Sequence, residues 1–304
     1  MLRPETYRVE DYKEWKEALK KEGFVVLRDI ISKDNKEKAI TMFKSDLNSI
    51  SKSFDWEDRK TWTSNNTPIV WGKSSAVFCG FGQCDSNWFL RLNSRAREAF
   101  SYVYDTNNII VSFDGFSLFL SDKQKSTSWL HQDQRPSDER YSIQGIINLL
   151  SCNENDAGFI CVPKSHVEYQ PPDQNTDWVV LPKDSPYKDK SVKILTPERS
   201  LILFNSKLIH ANVGIQKKHP MGVHINRLSA YITFVPRDRQ SEKIRQERIK
   251  GYFSGDSCSH WADRYEVKKI PYHIYNKFKK GGFNVLSPGT DEKGDIPAER
   301  LELI

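Results

Sequence analysis

The sequence has little cysteine, and what it has is arranged poorly for disulfides or zinc. Five of its 304 residues are cysteine, an odd number, and no two of them form a CxxC pair. Such usage is typical of a reducing compartment, so we expect a cytoplasmic protein with free thiols. Cys79 and Cys84 are close in sequence, but no second Cys/His pair at finger spacing completes a structural zinc site.

Long apolar runs are also missing. The apolar stretches, such as 201–204, fall far short of the roughly 18 residues that cross a bilayer. Residues 1–6 turn polar and acidic at once, which argues against a secretory signal. We find no internal repeat and no low-complexity tract. The sequence therefore predicts a globular protein without a membrane span.

A strong charge of one sign is the third absence. The chain carries 46 Lys and Arg against 40 Asp and Glu, a formal net charge of +6. So mild a balance permits an anionic substrate without requiring one. Aromatic residues are the abundant class, at 12% of the chain, and this favours strands over a helical bundle.

Short apolar segments separated by turn residues dominate the middle of the sequence. The candidate strands are 109–121, 141–150, 159–163, 192–195, 200–205 and 226–235. Such a series predicts a β-sandwich or jelly roll. An early strand is expected at 24–27 and loops at 52–90. Helical patterns occupy 9–22, a segment capped by Ser32 or Asp34, 94–104 and 238–250.

We interpret the chain as a single domain, 1–304, that is mainly β with flanking helices. Residues 109–235 form the predicted β core, 1–108 add helices and loops, and 236–304 add a C-terminal helix and a charged tail. Helix 238–250 is rich in basic residues, among them Arg248, and such a run is typical of a solvated face.

The most informative pattern is His131-Gln-Asp133, which follows the predicted strand 109–121. In extended backbone, residues i and i+2 point the same way, so an imidazole and a carboxylate converge on one point. His210, directly after the strand 201–204, supplies a second imidazole. Two histidines and one carboxylate on one face leave three open positions on an octahedral Fe(II). His131, Asp133 and His210 are therefore the candidate metal ligands.

A basic residue in an apolar strand is the second informative feature. Arg227 opens the strand Arg-Leu-Ser-Ala-Tyr-Ile-Thr. An inward guanidinium needs a partner, because a buried unpaired charge is costly. The far carboxylate of 2-oxoglutarate fits that role, with Ser229 on the same strand face as a hydroxyl donor.

Four segments, in this order, resemble the phytanoyl-CoA dioxygenase type of iron(II)- and 2-oxoglutarate-dependent oxygenases. Lys-Glu-Gly-Phe-Val-Val-Leu at 21–27 is similar to the opening strand of that family, and His-Gln-Asp to its metal motif. The segment 157–166 resembles its "Gal-vvPGSH" pattern, with Lys164 in place of the usual glycine. The segment 197–204 followed by His210 resembles its distal strand, and Arg227 matches its cosubstrate arginine.

The resemblance implies a double-stranded β-helix, a jelly roll of cupin-like type, with iron held by the three candidate ligands. It also implies Fe(II), 2-oxoglutarate and O2 as cofactor and cosubstrates, and a small-molecule substrate hydroxylated with release of succinate and CO2. Asn212 stands where the family often has Ser or Thr, and we expect it to contact the cosubstrate. A carboxylate at Asp133 favours hydroxylation over halogenation. The 17 residues from His210 to Arg227 exceed the usual distance, which we assign to the insert 217–222.

Alternatives remain at this point. A nucleic-acid oxygenase of the AlkB type would carry a second arginine where this chain has Thr233, which argues against nucleic acid as substrate. A cupin isomerase or a non-catalytic jelly-roll binding protein is the other alternative, although no metal residue is missing. Trp129 and Gln144 stay open as pocket residues, and His166 is interpreted as structural. The prime substrate and the oligomeric state are not predicted.

Overall fold

We describe a computed structural model of the protein, which covers residues 1–70, 74–120, 129–216, 225–270 and 272–304. The chain forms two compact units. The first unit contains Met1–Ile30 and Phe119–Leu228, and the second contains Ile31–Leu118 and Ser229–Ile304. No helix in the described ranges combines the length and apolar character that crossing a membrane needs.

Helices lie mostly outside the central β region of the chain. They are α1 (Tyr12–Glu22), α2 (Lys33–Ile50), α3 (Asp85–Asn93), α4 (Ala96–Tyr104), α5 (Ser165–Glu168), α6 (Glu242–Phe253), α7 (Tyr272–Gly281) and α8 (Ala298–Leu301). Short 3-10 turns occupy Arg59–Thr61 and Arg237–Arg239. The Ser32 hydroxyl accepts a hydrogen bond from the Asn35 amide at 3.1 Å, which confirms Ser32 as the N-cap of α2.

The strands are short, as the sequence predicts. They are β1 (Thr6–Tyr7), β2 (Phe24–Leu27), β3 (Ser75–Ala76), β4 (Ile109–Val111), β5 (Phe116–Phe119), β6 (His131–Gln132), β7 (Ile143–Asn148), β8 (Gly158–Cys161), β9 (Val179–Val180), β10 (Val192–Ile194), β11 (Ser200–Asn205), β12 (His210–Val213), β13 (Arg227–Tyr231) and β14 (Phe234–Pro236). The boundary between the two units falls inside β5 and β13.

Two sheets build the first unit. In one, β2 pairs in parallel with β1 and antiparallel with β11, and β11 pairs antiparallel with β7. The other has the order β10-β8-β12-β6-β9, with antiparallel pairs throughout. Phe204 of β11 and Phe159 of β8 meet with ring centroids 5.0 Å apart, so side chains of the two sheets interdigitate. This arrangement confirms the predicted mainly β, jelly-roll fold.

Each face of the five-stranded sheet has its own chemistry. One face carries an apolar cluster of Leu130, Ile160, Val162, Leu181, Ile209 and Ala211. The residues that alternate with these, including His131, Phe159, His210 and Asn212, project from the opposite face, because successive side chains of a strand point to opposite sides. The polar candidates of the sequence therefore share the face on which Phe159 contacts Phe204.

The second unit is built largely from helices with a few short strands. Phe43 of α2 contacts Phe81 at 5.8 Å and Phe116 at 4.8 Å between ring centroids. β3 pairs antiparallel with the start of β5, and β14 pairs antiparallel with β4. These contacts bury an aromatic core within this unit.

Two predicted strands are each divided in two. The strand expected at 109–121 is β4 and β5, and its last position lies outside the described residues. The break falls at Gly115, where an added Cβ would lie 2.1 Å from the Ala76 carbonyl oxygen, so the backbones approach closely there. The Asp114 carboxylate also accepts a hydrogen bond from the Gly115 amide at 2.8 Å. Likewise, the strand expected at 226–235 is β13 and β14.

Helix α3 begins at Asp85, within the stretch 52–90 that was expected to hold loops and short pieces, and that expectation is wrong from Asp85 onward. Its N-cap, Cys84, makes no side-chain cap hydrogen bond, so the usual sequence signal for a helix start is missing. Helix α6 begins at Glu242 rather than at residue 238. The Ser241 hydroxyl caps it by accepting a hydrogen bond from the Ile244 amide. The expectation of a solvated face is wrong for Arg248, which is 1% exposed.

Lys164, which stands where the resembling family has glycine, has an unusual backbone conformation. Lys164 has a φ of +65°, in the left-handed region that favours glycine. The resembling family segment has glycine at this position, so this chain accepts a local backbone cost there. The Lys164 amide donates to the Glu22 carbonyl oxygen at 2.9 Å, which helps to hold the turn.

Candidate metal centre

His131, Asp133 and His210 come together in the first unit. Their ligand atoms all lie within 4.8 Å of one another. His131 and His210 are register partners on the neighbouring strands β6 and β12, so both rings leave the sheet on one face. His131 Nε2 lies 3.2 Å from Asp133 Oδ1, and His210 Nε2 lies 3.4 Å from Asp133 Oδ2. The structure thus assembles the three predicted residues around one point.

Both imidazoles are oriented by their own backbone. His131 Nδ1 lies 3.0 Å from the Trp129 carbonyl oxygen, and His210 Nδ1 lies 2.9 Å from the Leu208 carbonyl oxygen. In a neutral ring held this way, the proton sits on Nδ1 and the lone pair on Nε2. Each Nε2 therefore presents an electron pair to the shared point, as a metal ligand must.

The charge states suit a cation as well. Burial lowers the pKa of His131, which keeps the ring neutral. Burial alone would raise the pKa of Asp133, but the interactions of its carboxylate with His131 and His210 outweigh this effect and hold that pKa well below its usual value. Two imidazoles and one carboxylate are the donor set typical of a non-haem Fe(II) site with open positions.

The metal motif is tied to the turn between β11 and β12. The Asp133 amide donates to the Ser206 carbonyl oxygen at 2.9 Å, and Gln132 Nε2 donates to the Lys207 carbonyl oxygen. Because this turn leads directly into His210, these bonds fix both halves of the triad relative to each other. The bond to Lys207 gives Gln132, the middle residue of the His-Gln-Asp motif, a structural role.

Gln144, which the sequence left open, lies in the site. Its Nε2 donates to Asp133 Oδ2 at 3.1 Å, and the residue is 7% exposed on β7. A polar residue in the otherwise apolar strand 143–147 was the available signal. The sequence could not indicate its face, because that depends on the pairing of β7 with β11.

Aromatic rings cover one side of His131. Trp129 stacks on the imidazole with centroids 4.3 Å apart and an interplanar angle of 9°, and Trp178 stacks on it at 4.3 Å and 24°. Trp178 precedes β9, whose Val180 is the register partner of His131. Trp129 therefore contacts a triad histidine and also packs against the apolar cluster of the five-stranded sheet, so both interpretations of this residue have support. Sequence reasoning missed Trp178.

Arg227 is buried, with 3% of its surface exposed. Its Nη1 donates to the Gly158 carbonyl oxygen at 2.9 Å and to Asn212 Oδ1 at 2.8 Å. Asn212 follows His210 by two residues on β12, so the two side chains leave the strand on one face. Ser229 is fully buried and follows Arg227 by two residues in β13. The structure therefore links Arg227 to the strand that carries a triad histidine.

Other histidines contribute elsewhere or are not described. His166 Nε2 lies 3.0 Å from the Lys20 carbonyl oxygen at the end of α1, in line with the structural role expected from sequence. Burial lowers its pKa. The insert 217–222, with His219, and the nearby His224 lie outside the described residues.

No family model matches the chain. "Ava biosynthesis cluster protein O" of Aspergillus versicolor is 27% identical over 154 residues, half of this chain, and the chain spans only half the length of that relative. "Putative phytanoyl-CoA dioxygenase" of Dictyostelium discoideum is 21% identical over 271 residues, which cover 72% of this chain and 74% of that protein.

Solved structures share the fold at low sequence identity. The epimerase SnoN, crystallised with Fe3+, alpha ketoglutarate and nogalamycin RO, has a TM-score of 0.50 and 12% identity over 75% of this chain and 86% of its own. EvdMO1 has a TM-score of 0.50 and 13% identity over 74% of this chain and 50% of its own. The chain thus has the jelly-roll fold of these enzymes, and its resemblance to the phytanoyl-CoA dioxygenase-like oxygenases is confirmed.

Proposed function

We propose that this protein is an Fe(II)- and 2-oxoglutarate-dependent oxygenase that hydroxylates a small molecule with release of succinate and CO2. The observation that carries the proposal is the convergence of His131 Nε2, His210 Nε2 and the Asp133 carboxylate on one point. His131 and His210 lie on paired strands and the Asp133 amide bonds to the Ser206 carbonyl oxygen, and such preorganisation is what a catalytic metal site requires. These three residues would hold the iron.

When bound there, the iron and 2-oxoglutarate supply the activation of O2 for oxidation of the substrate. The residues of the chain hold the parts in place. The carbonyl oxygens of Trp129 and Leu208 orient the two imidazoles. Phe159 and Phe204 pack beside His210, with centroids at 5.6 and 4.6 Å, and shield that side of the site from water.

We assign Arg227 as the anchor for the far carboxylate of 2-oxoglutarate, with Asn212 and Ser229 as supporting contacts. A guanidinium offers a planar fork of donors that matches a carboxylate. The Asn212 and Gly158 oxygens hold Nη1 and thereby fix the direction of the fork. Asn212 lies two residues after His210 and therefore connects Arg227 to a strand that carries a metal ligand. A dicarboxylate that chelates the iron at one end and binds Arg227 at the other needs such a connection.

The substrate surface that we propose lies beside Trp178. This side chain is 41% exposed although it stacks on His131, and Val180 next to it is 53% exposed. An exposed apolar surface next to a metal ligand suits a small organic molecule. The Aspergillus relative bears the name of a biosynthesis cluster protein, which agrees with such a substrate. The net charge of +6 is compatible with an anionic substrate. Thr233 stands where an AlkB-type oxygenase would carry a second arginine, which argues against nucleic acid as the substrate.

Two broader expectations remain part of this proposal. We infer that the whole of 1–304 acts as one oxygenase domain, with 109–235 as its β core, because both units are compact and interleaved along the sequence. We also infer a cytoplasmic location. The support is chemical, because buried free thiols at Cys84, Cys152, Cys161 and Cys258 are compatible with a reducing compartment.

An anaerobic titration tests the assignment. Addition of Fe(II) and then 2-oxoglutarate to the metal-free protein should produce a visible metal-to-ligand charge-transfer band. His131→Ala should abolish the band, because it removes one of the three ligands. His166→Ala is the matched control, since His166 contacts Lys20 rather than the triad, and it should retain the band.

Product analysis completes the test. Pools of small molecules are screened for stimulated 2-oxoglutarate turnover, with His210→Ala as the inactive control, and the oxidised product is identified by mass spectrometry. No charge-transfer band in the wild-type protein, or a band that survives His131→Ala, would refute the proposed function.

A further inference from the structure

The carboxylate of Asp133 receives a hydrogen bond from outside the triad. Gln144 Nε2 donates to Asp133 Oδ2 at 3.1 Å, and the same nitrogen lies 3.3 Å from Ser206 Oγ. Within the described part of the chain, Gln144 is the side chain from outside the triad that donates to this carboxylate. Because a carboxylate only accepts, the amide must present its NH2 group to Asp133, and its orientation is thereby set.

Ser206 keeps Gln144 in place. Its hydroxyl lies 2.8 Å from Ser142 Oγ, and its amide donates to the Ser142 carbonyl oxygen at 2.9 Å. Its own carbonyl oxygen accepts from the Asp133 amide at 2.9 Å. Ser206 therefore positions both the backbone of Asp133 and the side chain of Gln144, which bonds to the Asp133 carboxylate. Gln144, Ser142 and Ser206 are buried, where hydrogen bonds gain strength.

The number of carboxylate oxygens that bind a metal decides how many positions stay open. A carboxylate can bind through one oxygen or through both. With two imidazoles and one oxygen, three of six octahedral positions remain open. Chelating 2-oxoglutarate occupies two of them, and O2 needs the third. A carboxylate that bound through both oxygens would remove one of these positions.

We propose that Gln144 restricts Asp133 to binding iron through Oδ1 alone and so keeps this third position open. The inference rests on the proposed function. Gln144 occupies Oδ2 from the side of β7, which leaves Oδ1 as the free donor toward the metal. Gln144 is thus a positioning residue that acts through Asp133 and does not touch the metal itself.

The chain offers a close control for a test. Asn148 lies four residues further along β7, and its amide donates to Ser200 Oγ of β11 at 3.3 Å. Gln144→Leu and Asn148→Leu therefore each remove a buried amide that bonds to a serine hydroxyl, that of Ser206 or of Ser200, but only the first contacts the triad. Gln144→Asn is a second variant, which keeps a polar amide but is too short to reach Asp133.

Two affinities are measured for each variant: that of the metal-free protein for Co(II), from its absorption, and that of the Fe(II) protein for 2-oxoglutarate, from the charge-transfer band. We expect both Gln144 variants to retain Co(II) affinity, while the Kd for 2-oxoglutarate rises about tenfold, the size of effect typical of outer-shell residues. The band should also shift, because the coordination of Asp133 changes. Asn148→Leu should match the wild type in both affinities.

Several results would overturn this inference alone. They are an unchanged Kd for 2-oxoglutarate in both Gln144 variants, a loss of Co(II) affinity that parallels the loss of 2-oxoglutarate, or an equal effect of Asn148→Leu. The first would show that Gln144 does not act on the site, and the others that it merely supports the ligand or the fold. A wild-type protein that binds neither Co(II) nor Fe(II) would instead refute the proposed function itself.

Discussion

Arg227 in the first unit and Arg91 and Arg248 in the second unit are all buried, with exposed fractions of 3%, 1% and 1%. Arg91 donates to the Asp114 carbonyl oxygen and lies over the Trp88 ring at 4.6 Å. Arg248 donates to the carbonyl oxygens of Ala262 and Val111 and lies over the Phe113 ring at 4.3 Å. Three equally buried guanidinium groups thus have different neighbours.

The comparison shows that burial of an arginine does not by itself identify a ligand site. Carbonyl oxygens and aromatic faces are sufficient to accommodate Arg91 and Arg248. Burial lowers the pKa of Arg91 to about 9 and that of Arg248 to about 10, so both remain charged near pH 7. Arg227, in contrast, donates to Asn212 on the strand of His210. That contact, and not burial, supports its proposed role.

The largest effect is expected for Arg227→Met. Loss of one partner of a buried charge pair costs about 2–5 kcal/mol, so the Kd for 2-oxoglutarate should rise about 30-fold or more. The affinity for Co(II) should stay unchanged, because Arg227 does not touch the triad in the contacts described. Titration of the charge-transfer band measures the first quantity, and Co(II) absorption the second. Unaltered 2-oxoglutarate binding would place Arg227 in the same structural class as Arg248.

Asn212→Ala should have the next largest effect. It removes a hydrogen bond to a charged group, worth about 1.5–3 kcal/mol, and should weaken 2-oxoglutarate binding about tenfold or more. Asn212→Asp should be more harmful, because its carboxylate would pair with Arg227 and compete with the cosubstrate. The same titration compares the two variants. An Asp variant that binds 2-oxoglutarate better than the Ala variant would contradict the proposed anchor.

Arg248→Met should affect stability and not the site. The substitution leaves the Ala262 and Val111 carbonyl oxygens without this donor, which costs about 1–3 kcal/mol in the free energy of unfolding. Thermal unfolding should show a lower Tm, while the Kd for 2-oxoglutarate stays at the wild-type value. A changed Kd at a normal Tm would mean that Arg248 acts on cosubstrate binding and not on stability alone.

The smallest effect concerns local opening of the two units. Burial raises the pKa of Cys161 in the first unit, and raises that of Cys258 in the second to about 12. At pH 8 neither thiol forms much thiolate, so alkylation requires local opening. Co(II) and 2-oxoglutarate at a few times their Kd should slow labelling of Cys161 a few-fold. Cys258 should be slowed less, as measured by mass spectrometry of each peptide; equal slowing would show that both units open together.

The sequence was most informative about residues whose positions depend on the local geometry of a single strand. His131 and Asp133 could be paired because i and i+2 share a face of any extended strand, whatever the fold around them. His210 and Arg227 could be placed because each follows or opens a strand with a clear apolar pattern. The assignment of these residues as iron and cosubstrate ligands stays a prediction, although the structure brings the three metal candidates together.

The register between strands that are distant in the sequence could not be predicted from the pattern of apolar and polar residues. Gln144 contacts Asp133 only because β7 pairs with β11 and places residue 144 beside the turn at Ser206. Trp178 reaches His131 only because β9 adds to the edge of β6. Helix α3 was missed for another reason, since its N-cap makes no side-chain hydrogen bond.

The amino-acid sequence by itself determined the class of the fold, the candidate triad and the candidate anchor, because each depends on residue type and on spacing along one strand. Only the tertiary structure decided which polar side chains face the triad, which contacts hold the buried Arg227, and where the chain divides into two compact units. The physical reason is strand pairing. A shift of one residue in register sends every side chain of a strand to the opposite face.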